Sequence, residues 1–255
     1  MPSTTTIANI VITGHSRGLG AALAAAFLER GCPLLGLARR HNDDLARRHG
    51  PRLRQVVADL AEPAALAAWL DSGELAAFLA GGAPAILINN AGLLQPVGPA
   101  GSQGAHAITT AIAVNVTAPL MLSDAFVAAT RDSADRRILH ISSGAGRTAY
   151  AGWSLYCASK AALDHHARAT SADTIPGLRI ASLAPGVIDT AMQAEIRATP
   201  LDAFPLRGRF DALKADGGLS NPDEVARRIL ACVMAPDFGA DAAPDLRTLT
   251  GAGTA

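Results

Sequence analysis

The sequence predicts a doubly wound α/β domain, in which one parallel sheet carries helices on both faces. Short apolar runs alternate with longer, Ala-rich amphipathic stretches, a pattern typical of strands joined by helical crossovers. The short runs are apolar nearly throughout, which indicates strands buried on both faces. A composition of 49% hydrophobic and 17% charged residues belongs to a folded chain rather than a disordered one.

Six strands and five helices follow from this alternation. The predicted strands are IANIVIT (7–13), CPLLGLA (32–38), RLRQVVAD (52–59), PAILINN (84–90), RILHIS (137–142) and LRIASLAP (178–185). The predicted helices cover 21–30 and lie near 62–80, 106–130, 154–172 and 222–235. No linker divides the chain, so residues 1–255 are predicted to form a single domain. The segment 189–219 has no clear strand, and long irregular segments in compact domains are often functional lids, so we expect a substrate-binding lid there.

Charge and cysteine content exclude several classes of function. The chain has 22 basic and 22 acidic residues, so no general attraction to nucleic acid or anionic membranes is expected. Its three cysteines are scattered and form no CxxC pair, which indicates a reducing compartment and argues against a zinc site. Neither a signal peptide nor a segment of membrane-spanning length is apparent, so we expect a cytoplasmic protein. The adjacent histidines His165 and His166 make a poor chelate on a helix, and no metal is predicted.

A glycine-rich turn, Thr13-Gly14-His15-Ser16-Arg17-Gly18-Leu19-Gly20, follows the first strand and opens the first helix. Glycines at this junction let the backbone turn tightly and approach a pyrophosphate, which then faces the free N–H groups of the helix N-terminus. The spacing is G-x-x-x-G-x-G rather than the usual G-x-G-x-x-G. The turn predicts a Rossmann-type dinucleotide site, in which His15 either touches the cofactor or lies at the surface.

The end of the second strand indicates which dinucleotide is bound. NAD enzymes place an acid there to hold the ribose hydroxyls, whereas this strand ends in Arg39 and Arg40. Arg39, together with Arg17 of the glycine turn, is suited to bind a 2′-phosphate. The alternative is that these arginines only solvate the surface, and Arg40 either shares the role or points to water. The pattern favours NADP(H).

A catalytic group is predicted in the segment ISSGAGRTAYAGWSLYCASK (141–160). Tyr156 and Lys160 lie one helical turn apart, and Ser143 ends the preceding strand, where ligands of open parallel sheets bind. A tyrosine phenol has a pKa of about 10, and a nearby cation lowers it. A phenol of this kind is suited to give a proton to a carbonyl that is receiving hydride.

Together these motifs resemble the short-chain dehydrogenase/reductase family, from about Ile7 to about Met234. TGHSRGLG matches the family's glycine motif, Asn89-Asn90-Ala91-Gly92 its NNAG signature, and Pro185-Gly186-Val187-Ile188-Asp189-Thr190 its nicotinamide-binding loop. The stretches 186–197 and 204–230 resemble more closely the branch containing sepiapterin and benzil reductases. In this family the chain often ends in a further strand, for which DLRTL (245–249) is the candidate.

The resemblance implies roles for individual residues. Tyr156 acts as the general acid, Lys160 binds the nicotinamide ribose and lowers the pKa of Tyr156, and Ser143 donates to the substrate oxygen. Asn115 helps hold a water that relays protons through Lys160. The residues implied to bind the cofactor are Gly14, Ser16, Arg17, Gly18, Leu19, Gly20, Arg39, Asp59, Leu60, Asn89, Ala91, Gly92, Tyr156, Lys160, Pro185, Gly186, Ile188 and Thr190.

The predicted function is NADPH-dependent reduction of a ketone or vicinal dicarbonyl to the alcohol. Two alternatives stay open: an NADP-dependent alcohol dehydrogenase working oxidatively, and a non-enzymatic NADP-binding sensor. The expected partner is a second copy of the chain, through helices near 117–130 and 154–172, in a homodimer or homotetramer. Small and apolar residues such as Ala118, Leu122, Ala162 and Ala169 would allow close packing there.

The sequence also indicates where four further side chains lie. His140 is expected in the core, and Asp164 on the helix surface or at an interface. Cys157 has no partner that would make it a nucleophile. Trp153 either borders the substrate or packs in the core.

Overall fold

A parallel sheet of six strands forms the centre of the domain. The computed structural model describes residues 7–249, and its strands are β1 (Asn9–Thr13), β2 (Leu34–Ala38), β3 (Leu53–Val57), β4 (Ala85–Asn89), β5 (Arg136–Ile141) and β6 (Leu178–Leu183). The strand order is β3-β2-β1-β4-β5-β6, with every neighbouring pair parallel. All six predicted strands are present, and the predicted doubly wound fold is confirmed.

Helices cover both faces of the sheet. They are α1 (Gly18–Glu29), α2 (Asp43–His49), α3 (Pro63–Asp71), α4 (Glu74–Leu79), α5 (Ala105–Ile112), α6 (Ala118–Ala129), α7 (Ser154–Ala172), α8 (Ala191–Ala198), α9 (Arg207–Ala215) and α10 (Pro222–Met234). Because successive strand residues point to opposite faces, Ile10 and Ile12 pack with α1 and α10, whereas Val11 packs with α3, α4, α6 and α7. The strands are therefore buried from both sides, as their apolar sequences predicted.

Some predicted helices differ in detail from the structure. The helix near 62–80 is divided into α3 and α4 at Gly73, whose φ of 78° interrupts a helix. The helix near 106–130 contains a π-helical segment, Ala113–Thr117, between α5 and α6. Helix α2 was not predicted because its sequence, DDLARRH, has almost no apolar residues. It is instead stabilised by the Asn42 side chain, which accepts a hydrogen bond from Leu45 N, and by acids at its start and bases at its end.

The structures of the predicted lid segment, 189–219, and of the C-terminal segment 245–249 also differ from the predictions. The segment 189–219 is not irregular, since it contains α8 and α9. DLRTL does not form a strand: Asp245 makes an isolated bridge to Ala184, and a turn follows in which Thr248 N donates to Asp245 O. The Asp245 carboxylate accepts from Arg247 N at 2.9 Å, which stabilises the turn instead of an extended strand.

The continuous helical stretch 105–129 is long and apolar enough, by length and composition alone, to cross a membrane. The expectation that no segment reaches that length was therefore wrong. Half of its most apolar window is buried inside the domain, as in a core helix. Phe126 and Leu122 pack against the sheet from this helix with no exposed surface.

Candidate active site

A cleft of about 840 Å³ opens at the carboxyl ends of the strands. This is where open parallel sheets bind ligands, and the volume is typical of small-molecule and cofactor sites. The predicted site residues that line it are Gly14, Ser16, Arg17, Gly18, Leu19, Gly20, Arg39, Asp59, Leu60, Ala91, Gly92, Ser143, Tyr156, Lys160, Pro185, Gly186, Ile188 and Thr190. Two predicted residues, Asn89 and Asn115, do not line the cleft.

The glycine turn has the geometry of an anion site. Gly14 and Gly18 adopt φ values of 73° and 56°, and a Cβ on Gly20 would lie 2.2 Å from Gly14 O. Helix α1 starts here without a side-chain cap or an acidic residue in its first turn. Its first N–H groups are therefore not used by the protein's own side chains, and this donor set fits a pyrophosphate.

Thr13 and Asn90 connect the glycine turn to the NNAG segment. Thr13 Oγ1 accepts hydrogen bonds from the backbone N–H groups of Asn90 and Ala91, each at 3.0 Å. Asn90 Nδ2 donates to Thr13 O at 2.9 Å. Sequence reasoning missed this role of Asn90, although its position directly after a strand that neighbours β1 was a usable signal.

Asn89 does not line the cofactor channel, so that prediction was wrong. Its side chain is 2% exposed and lies between β4 and α6, where Nδ2 donates to Ser123 Oγ at 3.3 Å. The same Nδ2 lies 3.1 Å from His140 Nδ1. The reason is strand alternation, which turns Asn89 to the same face as the buried Leu87. His140 is fully buried in the core, as predicted, and burial lowers its pKa to about 3.

His15 is neither a cofactor contact nor a surface residue. It is fully buried, and its Nε2 lies 2.7 Å from Gln55 Oε1. Its ring packs so closely on Gly36 that a Cβ there would come within 2.5 Å of it. Burial lowers the pKa of His15, which favours the neutral ring. His15 therefore attaches the glycine turn to β2 and β3.

One end of the cleft is basic. Arg17, Arg39 and Arg40 line it with exposed side chains. Within residues 7–249 none of the three forms an ion pair with a carboxylate. Their guanidinium groups are free to bind a phosphate, which is the group that the sequence predicted there.

The catalytic group lies at the middle of the cleft. Tyr156 and Lys160, on α7, are 8% and 4% exposed, and Ser143 follows β5. Lys160 Nζ donates to Ile141 O at 2.8 Å and lies 5.7 Å from the centre of the Tyr156 ring. Ser143 Oγ accepts from Ala145 N at 3.2 Å, which leaves its own proton free for another acceptor.

Burial controls the protonation of both α7 residues. It raises the pKa of Tyr156 to about 12, while a hydrogen bond with Ser143 acts in the opposite direction. It lowers the pKa of Lys160 to about 8, while the charge of Asp164 acts in the opposite direction. The lowering of the Tyr156 pKa that the resemblance implied is therefore not found in the protein alone, where burial dominates. Tyr156 carries its proton at neutral pH, as a proton donor must.

Asn115 lies beside the catalytic group but behind the cleft wall. It is 2% exposed, within the π-helical segment. Its Oδ1 accepts from Leu93 N at 2.7 Å, and its Nδ2 donates to Leu93 O at 2.8 Å and to Ser159 Oγ at 3.2 Å. The amide therefore connects the loop after β4 to α7, one residue before Lys160.

Asp164 is not on the helix surface, contrary to expectation. It is 1% exposed, and its carboxylate accepts from Ser142 Oγ at 2.6 Å and from Ser182 Oγ at 2.7 Å. Arg147 Nε also donates to it, at 2.9 Å. The carboxylate joins α7 to the ends of β5 and β6, and its charge is fully satisfied there.

The other end of the cleft is aromatic and apolar. Trp153 stacks on Phe204, with ring centres 4.5 Å apart and an interplanar angle of 3°, and meets the Tyr156 ring edge-on at 5.5 Å. Both interpretations of Trp153 hold, since it is 4% exposed and still lines the cleft.

Helices α8 and α9 contribute the remaining wall, and Lys214 bridges to Asp189 at 2.7 Å. The segment predicted as a lid therefore lines the same cleft as Ser143, Tyr156 and Lys160. The cleft-lining residues in this segment that sequence reasoning did not name individually are Ala191, Met192, Gln193, Ile196, Arg209, Phe210 and Leu213.

A parallel α/β sheet with a glycine turn and a Ser-Tyr-Lys group at its carboxyl end defines a dinucleotide-binding oxidoreductase. A sequence profile described as short chain dehydrogenase matches residues 8–201. The chain belongs to the short-chain dehydrogenase/reductase family.

Individual relatives confirm the branch as well. The chain is 32% identical to a benzil reductase ((S)-benzoin forming) of Bacillus cereus, over 90% of this chain and 95% of that one. It is 34% identical to the sepiapterin reductase of Meriones unguiculatus, over 92% and 94% of the two chains. The resemblance to the sepiapterin and benzil reductase branch is thus confirmed.

Solved structures of the family share the whole fold. A short-chain dehydrogenase/reductase from Burkholderia vietnamiensis is 41% identical, with a TM-score of 0.70 over 96% of this chain and 99% of that one. A short chain dehydrogenase from Burkholderia cenocepacia J2315, solved in complex with NADP, is 29% identical, with a TM-score of 0.73 over 93% and 94%.

Proposed function

We propose that this protein is an NADPH-dependent carbonyl reductase that reduces a ketone or vicinal dicarbonyl to the alcohol. The observation that carries the proposal is the position of Tyr156 beside Ser143 and Lys160, between a basic and an aromatic end of one cleft. The basic end fits a phosphorylated dinucleotide, and the aromatic end fits an apolar carbonyl compound.

The cofactor is held by groups of the glycine turn and the strand ends. The first N–H groups of α1 bind the pyrophosphate, Arg17 and Arg39 bind the 2′-phosphate, and Ile188 and Thr190 hold the nicotinamide carboxamide. The nicotinamide supplies the hydride when bound. The solved relative in complex with NADP supports this assignment.

The chain's own residues handle the proton and the developing negative charge. Ser143 Oγ donates a hydrogen bond to the carbonyl oxygen, where charge develops as hydride arrives. Tyr156 then gives its phenolic proton to that oxygen. The ammonium of Lys160, held in place by Ile141 O, stabilises the phenolate that remains on Tyr156. The same groups serve alcohol oxidation in reverse.

The substrate class follows from the wall around Tyr156. Trp153, Phe210 and Tyr150 form an aromatic surface beside the phenol. A planar aromatic ketone or a 1,2-dicarbonyl buries its faces there without leaving a charge unpaired. The names of the relatives, benzil reductase and sepiapterin reductase, support a substrate of this kind.

Loss of reduced-cofactor absorbance tests the function directly. We expect turnover of benzil with NADPH and much slower turnover with NADH, and slower reduction of simple aliphatic ketones. A preference for NADH would contradict the role of the arginines and leave the reductase mechanism in place. No consumption of either cofactor with any ketone would contradict the proposed function.

We also propose that α7 packs against a second copy of the chain. Ala162 and Ala169 remain at least partly exposed on this helix and are small enough for close helix packing. Ala118 and Leu122, which the sequence suggested for the same purpose, are 1% and 0% exposed within one chain and do not take part. Light scattering of the wild type and of an Ala169→Glu variant measures the assembly, and a monomeric wild type would contradict it.

A further inference from the structure

The aromatic end of the cleft contains a buried amide, Gln193, that the mechanism above does not use. Gln193 lies in the first turn of α8, is 4% exposed and lines the cleft. Its backbone N–H donates to Thr190 O at 3.0 Å. Thr190 belongs to the loop predicted to bind the nicotinamide, so the first turn of α8 adjoins the place where hydride transfer is proposed.

The orientation of this amide is determined by Arg197, one turn further along α8. Arg197 Nη1 lies 3.1 Å from the Gln193 side chain. A guanidinium can only donate, so the atom that it contacts must be the amide oxygen. The amide nitrogen, Nε2, is therefore on the other side and points away from Arg197.

The Nε2 group has no acceptor within the protein. Among residues 7–249 no hydrogen bond involves this atom, and it is also not among the fully enclosed atoms that lack a partner. Because Gln193 is 4% exposed and lines the cleft, we infer that its open amide nitrogen faces the cleft. Buried amide N–H groups normally have partners, so the missing acceptor is expected to come from a ligand.

The surroundings restrict what that ligand is. The other side chains that line this end of the cleft are mostly apolar or aromatic, and they include Met192, Ile196, Phe210, Leu213 and Trp153. Arg209, also on the wall, is exposed, and Arg247 is paired with Asp245 at 2.6 Å. A neutral acceptor on an otherwise apolar molecule fits this environment better than a carboxylate does, because a buried anion would need a charged partner.

We propose that Gln193 Nε2 donates a hydrogen bond to a second, neutral oxygen of the substrate, next to the carbonyl that is reduced. Gln193 is then a specificity-determining residue that favours vicinal dicarbonyls over ketones with one oxygen. Arg197 fixes the amide and polarises it, which strengthens its N–H donors. This inference rests on the proposed reductase function and adds a residue that recognises the second oxygen of the substrate.

The test compares two substrates that differ only in the second oxygen. Benzil carries two adjacent carbonyls, and deoxybenzoin has a methylene in place of one of them. The ratio of kcat/KM for benzil to kcat/KM for deoxybenzoin, with NADPH, is measured in the wild type and in Gln193→Glu and Gln193→Leu. Benzil is more reactive in itself, but this difference cancels when the ratios of the variants are compared.

We expect both variants to reduce the ratio by tenfold or more, because a site built to donate to a substrate oxygen rejects the analogue that lacks it. Gln193→Glu keeps the size of the side chain and its contact with Arg197 but removes the donors. Glu195→Gln is the matched control, because it makes the reverse exchange, a carboxylate for an amide, at an exposed position of α8. It should leave the ratio within twofold of the wild type.

An unchanged ratio in Gln193→Glu or Gln193→Leu would overturn the inference. So would an equal loss on both substrates with a higher KM for NADPH, since the amide would then serve the cofactor. A wild type that consumes neither NADPH nor NADH with either compound overturns the reductase proposal itself, and is recognised before any variant is made. Thermal unfolding shows whether the variants are folded, and the leucine variant retains the test if the glutamate variant is not.

Discussion

Arg147 and Asp164 form an ion pair, with Nε and Oδ2 2.9 Å apart, that connects the loop after Ser143 to the helix that carries Tyr156 and Lys160. The same guanidinium donates through Nη2 to Pro244 O at 3.1 Å and Ser182 O at 3.2 Å. An ion pair that is buried on the Asp164 side therefore helps, together with backbone geometry, to set the distance between Ser143 and Tyr156.

Asp164→Asn is predicted to destabilise the protein and to change its pH dependence. Removing one partner of a buried pair leaves the other uncompensated, which costs about 3–5 kcal/mol of unfolding free energy when both are fully buried. The Arg147 side chain is 27% exposed, so we expect about 1–3 kcal/mol in urea unfolding.

The same substitution lowers the pKa of Lys160 further, because the Asp164 charge acts against the effect of burial. The fall of kcat/KM on the alkaline side is then expected at a lower pH than in the wild type. Measuring both the stability and the pH profile distinguishes a structural role of Asp164 from an effect on the Lys160 pKa. A variant that is less stable but keeps the wild-type pH profile would show that Asp164 is only structural. Asp173→Asn, on an exposed part of the chain just after α7, is the control.

Tyr156→Phe is predicted to reduce kcat by about 10²–10⁴-fold, the range for loss of a general acid. The phenyl ring keeps its contact with Trp153. The lost hydroxyl is only one of many groups predicted to contact the cofactor. The Kd for NADPH, measured by fluorescence titration, should therefore stay within about threefold of the wild type, because cofactor binding is dominated by the phosphate contacts. Near wild-type turnover would exclude Tyr156 as the acid.

The strands and the position of the site were predictable because they depend on local patterns. A short apolar run such as PAILINN, which follows two glycines and begins with Pro, is typical of a buried strand, and the carboxyl ends of parallel strands share one edge of the sheet. Helix α2 was missed because capping by Asn42 and its end charges stabilise it, rather than an apolar stripe. Segment 245–249 was misassigned because a side chain of its own, Asp245, forms a turn.

Sequence motifs predicted which residues lie at the site, but they did not predict where the individual side chains point. Asn89 and Asn90 are adjacent, yet strand alternation sends the first under α6 and the second to the glycine turn. His15 was expected at the cofactor or at the surface, and Asp164 on the helix surface or at an interface. Both are buried by partners distant in sequence, Gln55 and Ser182. Such long-range contacts have no local signature in a single sequence.

Arg39→Ala is predicted to reduce kcat/KM with NADPH and to leave kcat/KM with NADH nearly unchanged. A charge-assisted hydrogen bond contributes about 1.5–3 kcal/mol, so we expect a loss of about 10- to 100-fold, mainly through KM. Arg30→Ala, at an exposed position beyond the end of α1 and outside the cleft, is the matched control. If NADPH and NADH were affected equally, the side chain would not recognise the 2′-phosphate.

Lys160→Met is predicted to abolish activity and yet to stabilise the protein at neutral pH. Burial lowers the pKa of Lys160 from 10.5 to about 8, so the charged form is less favourable in the folded chain than in the unfolded one. A shift of this size corresponds to up to about 3 kcal/mol, although loss of the hydrogen bond to Ile141 O offsets part of it.

The pH dependence of this effect has a definite sign. Between about pH 8 and 10.5 the unfolded chain binds the Lys160 proton and the folded one does not, so the wild type gains stability from this group as the pH rises. Lys160→Met lacks that gain, and its advantage over the wild type should be largest at pH 7 and shrink toward pH 10. Urea unfolding at pH 7 and pH 9.5 measures both values. If Lys160→Met has a lower free energy of unfolding than the wild type at pH 7, the Lys160 ammonium stabilises the fold. The prediction that this buried charge destabilises the folded protein would then be wrong.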